Sequence, residues 1–114
     1  MTAAIDDAAS RNELLLSPIS AWEIGVLVKT GRLALAMPVA DYVRALFGRR
    51  GVVTATLTPA TAAGATTLPG RLHADPADRI LVSTAASLGA KLMTRDRQLH
   101  EYARATRHIR CLAC

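Results

Sequence analysis

Aromatic side chains are nearly absent from this 114-residue sequence: one Trp, two Tyr and one Phe make up 4% of it. A core must therefore be assembled from Ala, Leu, Val and Ile, which the 51% hydrophobic content supplies. Cysteine is almost as scarce. Cys111 and Cys114 close the chain as a C-x-x-C, but no second ligand pair accompanies them, which argues against a structural zinc site and for a frayed tail. No apolar run reaches the ~18 residues needed to span a membrane. The N-terminus, MTAAIDDAASRNE, lacks the apolar centre of a signal peptide. The expected setting is the cytoplasm, with no membrane partner. The seven glycines are scattered and form no phosphate-cradling loop. No Ser–His–Asp or Cys–His arrangement can be assembled, and His73, His100 and His108 read as surface residues, His73 with a further reading as a contact to substrate.

Acidic residues are also few: nine, against fourteen Lys and Arg, for a net charge of +5. The basic excess suits a polyanion such as nucleic acid, or simply a soluble surface, since the arginines form no block. The length fits one domain, residues 1–114.

Along the chain, residues 2–10 read as the end of an alanine-rich helix. Residues 13–17, ELLLS, form a short apolar run expected to be a buried strand. The stretch ISAWEIGVLVKTGRL has helical spacing, with Gly31 as its stop. VADYVRALFGRR is a second amphipathic helix, and VVTATL, residues 52–57, alternates as a strand. Thr58-Pro59 starts an alanine-rich helix expected to reach about Leu68, before Pro69-Gly70. After a polar loop, residues 77–90 form a strongly apolar helix. KLMT is a short strand, DRQLHEYA a short helix, and residues 108–113 a final edge strand. Strands alternating with helices imply an α/β fold with a parallel sheet and helices on both faces.

The positions of the acids carry the functional argument. Glu23 lies at the start of a helix that follows a strand, where Ser20 and Glu23 also fit a capping box. Asp75-Pro76-Ala77-Asp78 opens the apolar helix, where Asp75 fits the N-cap, Pro76 the first helical position and Asp78 the first turn. Asp96 follows the strand KLMT and fits an N-cap. Singly, capping accounts for each. Together, Glu23, Asp78 and Asp96 fall at the edge where open α/β sheets bind ligands. Clustered carboxylates repel one another unless a cation neutralises them, and oxygen-only donors select a hard ion, Mg²⁺ or Mn²⁺.

Several ordered motifs sharpen this reading. S-x-x-S-x-W-E-I from Ser17 to Ile24 is followed by K-x-G-R-L from Lys29, then by Leu68-Pro69. H-x-D-P-x-D-R-x-L runs from His73 to Leu81, and Thr94-Arg95-Asp96 comes last. In order and rough spacing these resemble the PIN-domain ribonucleases, above all the VapC toxins of bacterial toxin–antitoxin pairs, over nearly the whole chain. The resemblance implies a three-layer α/β/α fold and Mg²⁺-dependent endonucleolytic cleavage of RNA. It implies Glu23, Asp78 and Asp96 as catalytic and metal-site acids, with Asp75 as a cap. Arg79 and Arg95 would face phosphate or anchor the local acids. A small antitoxin partner and a homodimer are implied as well. Two departures stand out. Ala77 replaces a usually aromatic residue. The family's first strand, central in the sheet and ending in an aspartate, has no counterpart, and Asp6 and Asp7 do not substitute for it. The expectation is a PIN-like domain without its first strand, from a misplaced start or a truncated gene. The alternative functions are an inactive remnant that only binds an antitoxin or nucleic acid, and a PIN-like nuclease outside any toxin pair.

Overall fold

A computed structural model describes residues 14–113. They fall into two compact units, divided between Thr56 and Leu57. The helix expected over residues 2–10 lies outside the described residues, as does Cys114.

In the first unit, β1 (Leu14–Leu16) pairs in parallel with β2 (Val52–Thr54), Leu15 opposite Val53. Ala55 N–H extends the ladder to Leu16 O at 2.8 Å, so the alternating VVTATL run gives a strand of three residues and one further bond. A parallel pair needs a long crossover, and two helices supply it: α1 (Pro18–Lys29) and α2 (Val39–Phe47), which pack on each other. Helix α1 begins earlier than the capping-box reading required. Ser17, itself buried, is the N-cap and its hydroxyl accepts from Ile19 N–H, with Pro18 in the first turn. Proline favours that position because its missing N–H would have no helical partner there. Ser20 and Glu23 therefore sit inside the helix. At the other end Gly31 adopts φ +76°, the left-handed conformation that ends helices cheaply only at glycine.

The second unit holds α3 (Pro59–Gly64), α4 (Pro76–Leu88), β3 (Lys91–Met93), α5 (Arg97–Thr106) and β4 (Arg110–Leu112). β3 and β4 pair in parallel through α5, and Thr94 N–H adds a bond to Leu112 O. The fold is thus α/β with parallel strands, paired two by two among the described residues. Helix α3 stops well short of Leu68. The hydroxyls of Thr66 and Thr67 bond the carbonyls of Ala63 and Gly64, closing the last turn and competing with its continuation. Ser83 Oγ donates to Thr61 O at 2.7 Å and seats α3 on α4. The core joins Val82 and Ala85 of α4 to Leu99, Tyr102 and Ala103 of α5 and Ile109, with Leu92 and Cys111 packed against them. Cys111 is consequently a strand residue on the core rather than part of a frayed tail, and burial raises its thiol pKa. Among the described residues no helix is long and apolar enough to cross a membrane.

The loop between α3 and α4 has no regular structure and is tied down by side chains. Tyr102 donates its hydroxyl to Pro69 O at 2.7 Å. Gly70, at φ +73°, lies so close to α5 that an added Cβ would stand 2.5 Å from Thr106 Cγ2. Both the left-handed backbone and the clash exclude a side chain here. Gly70→Ala is expected to lower unfolding free energy by about 2 kcal/mol or more in urea titrations; an unchanged midpoint would show that the loop does not rest on α5.

Candidate metal centre

Three side chains of the second unit converge. His73, Asp78 and Asp96 each offer one ligand atom, and these atoms lie within 4.8 Å of one another. All three are partly buried. They come from three places: the loop before α4, the first turn of α4, and the cap of α5.

Capping chemistry builds two of these positions. Asp75 is the N-cap of α4, its Oδ1 accepting from Ala77 N–H at 3.0 Å and Asp78 N–H at 3.3 Å. Pro76 follows, and the turn that Asp75 nucleates places Asp78 in the first helical turn. Asp96 caps α5 by accepting from Gln98 N–H at 2.8 Å, again through Oδ1. Its own N–H donates to Thr94 Oγ1 at 3.0 Å. His100 Nε2 donates to Thr94 O at 2.8 Å, so a histidine that reads as a surface residue instead fixes the turn that aims Asp96.

The loop bearing His73 is held by Arg79. Its Nε donates to Ala65 O at 2.8 Å, and one terminal nitrogen donates to Leu72 O at 3.0 Å and His73 O at 3.4 Å. These contacts make Arg79, partly buried, an anchor of the loop's carbonyls, a role that differs from both expected ones, phosphate contact and anchoring of the local acids. Arg95, next to Asp96, is exposed.

The electrostatics follow from the crowding. Asp78 has a raised pKa, first because burial penalises its charged form, then because Asp75 and Asp96 repel it; His73 acts in the opposite direction. Two converging carboxylates, one of them destabilised when charged, form a donor set that fits a hard divalent cation, which would relieve the repulsion. Glu23 lies in α1 of the first unit, partly buried, on the helix that Ser17 caps.

The sequence singles out Asp78 and Asp96, whereas His73 reads there only as a surface residue or a contact to substrate. No helical or strand period links His73 to Asp78; the cap at Asp75 folds the loop back. The available signal was the histidine two residues before a capping aspartate in H-x-D-P-x-D.

The PIN domain profile matches residues 2–105. The chain is also 38% identical, over 91 residues, to Ribonuclease VapC22 of Mycobacterium tuberculosis. That alignment spans 80% of this chain and 68% of the relative. No solved structure matches.

In the metal-free chain the carboxyl of Asp78 should titrate above the ordinary aspartate value of about 3.9 when followed by NMR. Its contribution to stability is then fully present below that pH and lost as pH rises through the raised pKa. A midpoint at or below the ordinary value would contradict the crowding described.

Proposed function

The chain belongs to the PIN-domain family, among its VapC-type ribonucleases, and from that membership we propose that it is a Mg²⁺- or Mn²⁺-dependent endoribonuclease, the toxin of a toxin–antitoxin pair. The observation that carries this reading is the convergence of Asp78 and Asp96, from the starts of two helices, on a space of a few ångströms.

Asp78 and Asp96 are the acids proposed to hold the cation. Each can do so while serving its helix, because a carboxylate has two oxygens and several lone pairs. Glu23 is proposed as a further catalytic and metal-site acid on the strength of its W-E-I motif. Asp75 remains a cap. Arg95, exposed beside Asp96, is proposed to meet a backbone phosphate; Arg79 keeps the loop in register. When bound, a divalent ion supplies positive charge to a phosphate under attack and lowers the pKa of a water. The net charge of +5 favours RNA as the polyanion that reaches these acids. The proposed protein partners are a cognate antitoxin and a second copy of the chain, and the proposed setting is the cytoplasm.

Incubating the chain with labelled RNA tests the reading. Cleavage should need Mg²⁺ or Mn²⁺, stop on chelation, and disappear in Asp78→Asn while the variant stays folded by circular dichroism. Cleavage retained in that variant would remove Asp78 from the mechanism. No cleavage by the unaltered chain with either ion would favour the inactive, antitoxin-binding remnant.

A further inference from the structure

His73 belongs to no expected catalytic set, yet it stands against Asp78. Its Nε2 is 3.4 Å from Asp78 Oδ2. That nitrogen is buried and makes no hydrogen bond to any described residue, Asp78 included. A buried N–H without an acceptor costs about 1–3 kcal/mol, so its neighbour matters.

The other ring nitrogen decides which atom bears the proton. Asp75 N–H donates to His73 Nδ1 at 3.4 Å. An accepting Nδ1 has no proton, so the neutral ring carries its proton on Nε2, the side facing Asp78. Direct ligation of a cation through Nε2 would need the reverse: the proton on Nδ1, pointing at the Asp75 N–H. Two donors would then face each other. The Asp75 N–H that Nδ1 accepts from belongs to a residue fixed by its own cap.

We infer that His73 is a positioning residue for the metal centre, donating from Nε2 to Asp78 Oδ2 and holding that carboxylate in one orientation toward the cation shared with Asp96. A small rotation of Asp78 would turn the 3.4 Å approach into that hydrogen bond. The role resembles that of groups outside a metal's own ligand set, which orient the ligands and whose loss typically weakens binding 10–100-fold. This inference rests on the proposed metal centre.

Mn²⁺ affinity of the 114-residue chain, measured by calorimetry, separates the two. His73→Leu, which has no donor, should bind Mn²⁺ about tenfold or more weakly. His73→Gln, which restores an N–H, should return close to the unaltered affinity. Pulsed EPR of Mn²⁺ on the unaltered chain should show no directly coordinated imidazole nitrogen, a readout that needs no variant to fold. Unchanged affinity in His73→Leu would overturn the inference while leaving the metal centre standing. A directly coordinated nitrogen would overturn it too, making His73 a ligand. Unchanged affinity in Asp78→Asn, or no binding by the unaltered chain, would overturn the metal centre and the inference with it.

Discussion

Arg79 is the constraint on which the second unit's site depends. The segment from Ala65 to Asp75 has no helix or strand to satisfy its backbone, and a carbonyl left unpaired inside a protein is costly. A single guanidinium fork takes up three of those carbonyls, Ala65, Leu72 and His73, from the first turns of α4. Lysine could not copy this, because its ammonium lacks the planar, spread donors. Tyr102 and Gly70 then lay the same loop on α5. His73 and the Asp75 cap therefore reach Asp78 as parts of one braced loop.

The acids in this loop serve two ends that are usually set against each other. An N-cap aspartate needs one oxygen to stop a helix's N–H groups going unpaired. Asp96 does this through Oδ1, which leaves its second oxygen outside the cap. Helix starts also attract negative charge through their dipoles. Local structure thus gathers carboxylates at helix starts, and tertiary packing brings two such starts within 4.8 Å. Burial first, and then repulsion from Asp75 and Asp96, raises the pKa of Asp78, and a divalent ion would offset that penalty on its charged form.

Much of this was legible in the sequence because it is local. Asp75-Pro76 opens α4 as its chemistry dictates, although Gly89 stops the helix inside the expected residues 77–90, and Leu14–Leu16 and Lys91–Met93 are strands where short apolar runs stood between polar ones. What escaped was decided by competition between neighbours or by contacts across the chain. Ser20 reads as the cap in the sequence, but the structure caps the helix at Ser17, with Pro18 opening its first turn. Alanines promised a longer α3, but threonine hydroxyls claimed its last carbonyls. His73 meets Asp78, and Arg79 reaches three loop carbonyls, only because the loop folds back; no periodicity encodes that.

The central claim is that Asp78 and Asp96 share one divalent cation. Residue-resolved paramagnetic broadening of the amide spectrum, on adding substoichiometric Mn²⁺ to the chain, addresses it most directly. The account predicts that residues 73–79 and 94–97 broaden first and together, and that excess Mg²⁺ reverses the effect. Broadening of only one of these two stretches, or equal broadening at the exposed Asp41, would contradict it.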